Sequence, residues 1–220
     1  EVMKRSKKPL SSAACFTAII LMAQCILVPS ASGASDWKIK KSQWRRLTSG
    51  YVPNISNEIG KPVSVFVTCP AQSYTITLLK IGYFNGTESK EVKKTDAIPC
   101  INQVKEPAEN WRSNTSIQTT GISGGMYLIK ISDTDGYKSF IPLVIRDPKE
   151  NARAIFVIPT MTMFAYNSWT GSNTYEGKGG FDDRLKIVDF RKPFNTGFGT
   201  GKYWSYVHPL VVQLEKTGID

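Results

Sequence analysis

Hydrophobic and polar residues alternate along several short stretches between residues 53 and 147, and a period of two is typical of β-strands with one buried face. The clearest stretches are residues 62–68, 74–81, 126–132 and 137–145. The pair Asp135-Gly136 separates the last two stretches, and an Asp-Gly pair in that position indicates a hairpin. Because no segment here keeps a helical period for three turns, the pattern predicts an immunoglobulin-like antiparallel β-sandwich over residues 53–147.

A different pattern begins at residue 148. Residues 154–158 are a continuous apolar run, as expected of a strand that is covered on both faces in a parallel sheet. A second short strand is predicted at residues 185–190, and a helix is predicted over residues 204–216 with Gly218 at its C-terminal end. This order predicts the start of an α/β parallel-sheet domain over residues 148–220. Since such a domain needs further strands, we expect the chain to be a fragment whose remainder lies on the C-terminal side.

The N-terminal segment has the order of a secretory signal peptide, with basic residues, then an apolar stretch, then small residues. We place cleavage near Ala34, which makes residues 1–34 the signal, leaves residues 35–52 as a basic linker and predicts a secreted or periplasmic protein. A transmembrane helix is an alternative, although the apolar stretch of about 16 residues is shorter than the roughly 20 that a span needs. A lipoprotein anchor at Cys25 is another. Once the signal is removed, we expect no stable membrane span.

Composition and charge limit the classes of partner. The 220 residues include 28 Lys and Arg against 18 Asp and Glu, a formal net charge of +10, and 41% are hydrophobic. These values exclude a wholly disordered chain and a polytopic membrane protein. The basic residues cluster between Lys38 and Arg46 and are elsewhere interspersed with acids, unlike the basic, aromatic-bearing face of a nucleic-acid interface. We therefore expect no nucleic-acid partner, and a homo-oligomer is left open.

Export also determines the redox state that we expect of the cysteines. Cys15 and Cys25 would be removed with the signal, so the mature protein would keep Cys69 and Cys100, an even pair in an oxidising compartment. We expect these two residues to form a disulfide. Two independent buried thiols are the alternative.

The loop that follows residues 154–158 is the most unusual segment, because Tyr166 and Tyr175 stand in it among Asn, Ser and Gly residues. A loop after a buried parallel strand lies at the carboxyl end of that strand, where open α/β sheets bind ligands. A core aromatic cluster is the alternative, and we favour it for Phe164 and Trp169. The two tyrosines are better candidates for a site, since a buried tyrosine hydroxyl needs a polar partner.

Several segments of this second part resemble the large (beta) subunit family of N,N-dimethylformamidase, in its shorter exported branch. The segments are Ala165-Tyr166-Asn167, Gly171 to Tyr175, residues 188–194 and residues 214–220. The preceding β-rich part is similar to the same family's preceding module, so the resemblance extends over roughly residues 50–220.

The resemblance implies hydrolysis of a small amide at a mononuclear ferric (Fe³⁺) centre that is held by two tyrosinates and one glutamate. Carried over by position, Tyr166 and Tyr175 would be the phenolate ligands, and Asn167 would contact the substrate. Ferric iron is a hard Lewis acid that suits phenolate oxygen, and it would polarise the amide carbonyl. The family's glutamate belongs to a His-x-Glu-Tyr segment that we expect beyond residue 220, so we expect the fragment to be inactive by itself.

The sequence also allows two other interpretations to be examined for a site and a function. The Gly-rich stretch before Lys202 is not a phosphate loop, because Tyr203 stands where such loops have Ser or Thr. A rival function from another class is an exported, non-catalytic protein whose β-sandwich binds a carbohydrate or a cell-wall component. Metal content separates this rival from the amide hydrolase.

Overall fold

The computed structural model describes residues 37–149 and 154–219. The predicted signal peptide, residues 1–34, lies outside the described residues. The strands are β1 Ser49–Tyr51, β2 Ser56–Glu58, β3 Val63–Thr68, β4 Ser73–Phe84, β5 Thr87–Lys94, β6 Ile98–Pro99, β7 Thr115–Ile117, β8 Gly125–Asp133 and β9 Lys138–Arg146. The α-helices are α1 Thr160–Ala165, α2 Tyr203–Tyr206 and α3 His208–Lys216, and short 3-10 turns lie at Lys41–Gln43, Ala108–Asn110, Phe181–Asp183 and Gly197–Gly199. Within the described ranges, no helix has the length and apolar character to cross a membrane.

The strands form two sheets. One sheet has three strands in the order β1-β3-β7, and the other has the order β2-β9-β8-β4-β5, with β6 paired to β4. Strands β4, β8 and β9 pair antiparallel over long registers, whereas β2 pairs with β9 in parallel. The predicted β-sandwich is therefore confirmed, and its immunoglobulin-like label stays a prediction.

The main core lies between the two sheets. Its buried side chains alternate along the strands: Val63, Val65 and Val67 from β3, Tyr74, Ile76 and Leu78 from β4, Tyr127, Ile129 and Ile131 from β8, and Ile141, Leu143 and Ile145 from β9. Because residues two apart on a strand point to the same face, these side chains produce the period of two in the sequence. The predicted disulfide between Cys69 and Cys100 is also present, with an S–S distance of 2.01 Å.

A second core lies on the opposite face of the six-stranded sheet. There the sheet residues Leu79, Ile81, Met126, Leu128 and Phe140 pack against Trp37, Ile39, Met163, Phe164, Phe194, Tyr203 and Val207. The helices and loops of the chain's last third thus form a third layer. Trp37 and Ile39 fall in the stretch predicted as a basic linker, so from residue 37 onward this stretch packs into the fold and continues into β1.

Residues 154–158 and 185–190, which the sequence predicts as parallel strands, form no strand in the structure. Along the first segment Phe156 packs on the covered sheet face, whereas Ile155 and Val157 are 90% and 77% exposed. An apolar run becomes a parallel strand only where neighbouring strands pair with it and helices cover it, and among the described residues no strand does so. The predicted parallel sheet is not confirmed, and this part of the described chain consists of helices and loops.

The helix predicted over residues 204–216 is present as two helices, α2 and α3, that meet at Val207. Pro209 lies in the first turn of α3, where its missing N–H is tolerated but where it cannot continue the hydrogen bonding of α2. Gly218 follows the C-terminal end of α3 with a φ of +74°, as predicted.

Gly199 fixes the loop between residues 195 and 201 against β9. A Cβ at this position would lie 2.4 Å from the carbonyl oxygen of Phe140, and the φ of Gly199 is +94°. Only glycine combines this close approach with this backbone conformation. The hydroxyl of Ser139 also donates to the carbonyl oxygen of Phe198, at 3.2 Å. These contacts hold the loop beside α2, where both form part of a cleft.

Candidate metal centre and adjoining cleft

Tyr166 and Tyr175 lie side by side at the surface of the third layer. Tyr166 directly follows α1, and Tyr175 lies in the loop that returns toward it. Their ring centroids are 4.4 Å apart and their ring planes differ by 20°, so the rings are stacked. The two side chains are 48% and 53% exposed. The structure therefore brings together the two tyrosines that the sequence singles out, and both are open to solvent.

Hydrogen bonds of the residues next to the two tyrosines set this arrangement. The backbone N–H and the hydroxyl of Thr174 both donate to the carbonyl oxygen of Ala165, at 3.0 and 2.9 Å. These two residues are the chain neighbours of Tyr175 and Tyr166. The side-chain oxygen of Asn173 also accepts the N–H of Tyr175, at 2.8 Å. The Asn, Ser and Thr residues of the loop thus position the tyrosines through local side-chain bonds.

The two phenols influence each other electrostatically. The pKa of Tyr166 is raised, first by the negative charge that Tyr175 would carry, then by desolvation and by its hydrogen bond with Tyr175. Two neighbouring phenolates repel each other, so a negative charge on Tyr175 makes it harder for Tyr166 to lose its proton. Tyr206 of α2 adds a smaller effect of the same sign. The sequence does not predict a place for Tyr206 at the site, because no motif marks it and only tertiary packing brings it near Tyr166.

The donor set of the pair fits a hard trivalent cation. Phenolate is an anionic oxygen ligand, and tyrosinate is an established ligand of protein-bound iron. Across residues 37–149 and 154–219, no cluster of three or more His, Cys, Asp or Glu residues could hold a metal ion. Tyr166 and Tyr175 are two residues that could hold such an ion, each through its phenol oxygen.

Asn167, predicted to contact substrate, is 2% exposed. Its side-chain N–H donates to the carbonyl oxygen of Pro193 at 2.9 Å, and its side-chain oxygen accepts the N–H of Asn195 at 3.2 Å. Both polar atoms of the amide are thus used within the protein. Asn167 connects the end of α1 to the loop that leads into the 3-10 turn at Gly197–Gly199.

A cleft of about 400 Å³ lies directly beside Tyr166. Besides this tyrosine and Asn167, its lining includes the apolar side chains of Met163, Phe194 and Trp204 and the polar side chains of Thr196, Lys202 and Ser205. The cleft is built from α1, the residue 194–201 loop and α2. A concave, mostly apolar site with a few polar groups is the usual form of a small-molecule pocket.

The fold and the site together define a class of protein: a β-sandwich whose larger sheet carries a helical layer with a solvent-exposed tyrosine pair beside a cleft. The sequence profile of the N,N-dimethylformamidase beta subunit-like family, C-terminal part, matches residues 75–220, which is more than half of the 220-residue chain and includes both tyrosines. The chain therefore belongs to this family, as its sequence predicts. No curated protein matches the chain.

Proposed function

We propose that this chain contributes two tyrosinate ligands to the mononuclear ferric centre of a secreted amide hydrolase. The stacked pair of Tyr166 and Tyr175 is the observation that carries the proposal, because it places two hard oxygen donors together at an accessible surface. Membership of the family supports the reaction type, which is hydrolysis of the C–N bond of an amide.

The chain's own residues have separable roles in this proposal. Tyr166 and Tyr175 would hold the iron through their phenolate oxygens, and the positive charge of the ion would offset the repulsion by Tyr175 that raises the pKa of Tyr166. When bound, ferric iron supplies Lewis acidity that polarises the carbonyl of an amide. The cleft beside Tyr166 admits the substrate and excludes part of the solvent around it. A substrate contact by Asn167 stays a prediction, and its two hydrogen bonds support a role in positioning the wall of the cleft.

Export is part of the same proposal. The disulfide between Cys69 and Cys100 supports it, since disulfides persist in oxidising compartments such as the periplasm and the cell exterior.

Spectroscopic titration with iron tests the proposal. Ferric iron would be added as its nitrilotriacetate chelate, and bound iron would be measured together with the visible absorption band of a tyrosinate-iron bond. We expect the full-length wild-type protein to bind iron and develop the band, and we expect Tyr166→Phe and Tyr175→Phe each to abolish it. Tyr83→Phe is the matched control, because Tyr83 is a similarly exposed tyrosine outside the site.

The iron titration also distinguishes the amide hydrolase from the non-catalytic binding protein. A folded full-length protein that takes up no iron, or a band that survives in both phenylalanine variants, would overturn the metal site. That result would favour the non-catalytic protein that binds a carbohydrate or a cell-wall component.

A further inference from the structure

The cleft beside Tyr166 is larger than the simplest amides require. Its volume of about 400 Å³ lies within the range of pockets that enclose drug-sized ligands. A formamide with two small substituents would fill only a minor part of this space. The cleft therefore has room for an amide with a larger group attached.

One side of the cleft is a rigid apolar surface. Met163 and Phe194 are 2% and 4% exposed and belong to the second core. The indole N–H of Trp204 donates to the carbonyl oxygen of Gly197 at 3.0 Å, and its ring packs against Trp37 with centroids 5.7 Å apart. Because these contacts fix the indole before any ligand arrives, this side is prepared to receive an apolar or aromatic group.

The lining of the cleft also includes a positively charged side chain, that of Lys202. Lys202 is exposed, and it takes part in none of the ion pairs among the described residues. Among the described residues that line the cleft none is acidic, while Thr196 and Ser205 add hydroxyl groups to the same lining. An ammonium group with adjacent hydroxyls favours an anionic group on the ligand, and a carboxylate suits both kinds of donor.

We propose that the cleft binds amides whose non-reacting part carries an apolar or aromatic group and a carboxylate, with the carboxylate at Lys202. The apolar group lies against Met163, Phe194 and Trp204, and the amide lies toward Tyr166. This inference rests on the proposed function, because it takes the amide toward the tyrosine pair. It names a substrate class by the charge and shape of the cleft.

A pair of probe molecules that differ in one group tests the inference. N-Benzoylglycine has the aromatic ring, the amide and the carboxylate, and N-benzoylglycinamide replaces the carboxylate by a neutral amide. Binding of each would be measured by isothermal titration calorimetry with the iron-free protein. We expect N-benzoylglycine to bind up to about fivefold more tightly, the upper range for a solvent-exposed ion pair.

Three variants locate the binding. Lys202→Met should bind the two probes equally, whereas Lys178→Met, which removes an exposed lysine outside the cleft lining, should keep the preference. Ser205→Trp places a large side chain at an exposed position of the cleft and should weaken both probes. Circular dichroism and thermal melting would show that each variant is folded.

Equal binding of the two probes by the wild-type protein, no binding of either, or a preference that survives in Lys202→Met would overturn the inference. Because these measurements use no iron, their failure is distinct from failure of the metal site, which the absorption band reports.

Discussion

At the scale of single residues, the tyrosine pair depends on small polar neighbours more than on the rings themselves. Thr174 donates twice to the carbonyl oxygen of Ala165, and Asn173 accepts the N–H of Tyr175. The stacked rings are half exposed, so burial alone would not hold them together. The position of each phenol oxygen is consequently set by hydrogen bonds that lie one or two residues away from it.

Asn167 allows a direct test at this scale. Asn167→Leu removes both side-chain bonds and leaves the carbonyl oxygen of Pro193 and the N–H of Asn195 without this partner. We expect the free energy of unfolding to fall by about 2 kcal/mol, which is typical when buried polar groups lose their partner. Urea denaturation measures this change. Asn102→Leu, at an exposed position, is the control, and an equal loss in both variants would contradict the assigned role.

At the scale of elements, His208 joins the start of α3 to the edge strand β5. Its Nε2 lies 3.6 Å from a carboxylate oxygen of Glu88, which is also paired with Lys38 at 2.7 Å. The ring is 8% exposed and lies among the aromatic rings of Trp37, Tyr203 and Trp204. The pKa of His208 is lowered by burial and, to a smaller extent, by Lys38, while Glu88 acts in the opposite direction.

The lowered pKa of His208 predicts a pH dependence of stability. An unfolded histidine takes up a proton near pH 6.5, whereas the folded protein resists protonation until a lower pH. The contribution of His208 to stability is therefore fully present well above about pH 6.5 and decreases as the pH falls through this value, because the unfolded state then binds more protons. His208 is the single histidine of the chain.

Urea denaturation at several pH values would measure the effect. The wild-type protein should lose stability between about pH 7.5 and pH 5.5, and His208→Gln should show a flatter profile over the same range. Profiles of equal slope in the two proteins would show that another group is responsible.

Elements differ in how far their sequence predicts them. In β3 and in the first half of β4 buried residues alternate with more exposed ones, so the period of two is visible there, whereas β8 and β9 are buried on both faces over most of their length. Strand β5 is an edge strand rich in charged residues, and its sequence does not alternate between hydrophobic and polar residues. Residues 154–158 have the composition of a buried strand, but a strand exists only where a partner supplies hydrogen bonds.

The candidate site also has features that the sequence predicts and features that it does not. Tyr166 and Tyr175 could be predicted because short sequence segments around them resemble a family. The contact between their rings could not be predicted, because it depends on how the loop between the two residues folds. Lys202, directly before α2, and Trp204, in α2, reach the cleft from a part of the chain that is distant in sequence, so no local pattern predicts their place beside Tyr166.

At the scale of the whole molecule, an exposed apolar surface lies between residues 154–158 and α3. Ile155 and Val157 point to solvent, and a groove of about 390 Å³ separates this segment from Leu210 and Leu214. The backbone of residues 154–157 makes no hydrogen bond with other described residues. An extended segment with unpaired backbone groups and exposed apolar side chains promotes self-association.

We therefore expect the protein to associate as its concentration rises, and the double variant Ile155→Glu with Val157→Glu to reduce this association. Sedimentation velocity over a range of concentrations measures it. Ile187→Glu is the matched control, since Ile187 is 85% exposed and lies outside the groove. If the double variant associates as strongly as the control, the surface is not responsible.

The disulfide has a consequence for how the molecule withstands proteolysis. Cys69 follows β3 and Cys100 follows β6, so the 31-residue loop that they close contains the whole hairpin of β4 and β5. Asn85 and Gly86 form the tight turn of that hairpin, and exposed turns are preferred sites of protease cleavage. A single cut there would leave the two pieces covalently joined, and they would separate on a gel only after a thiol reductant is added.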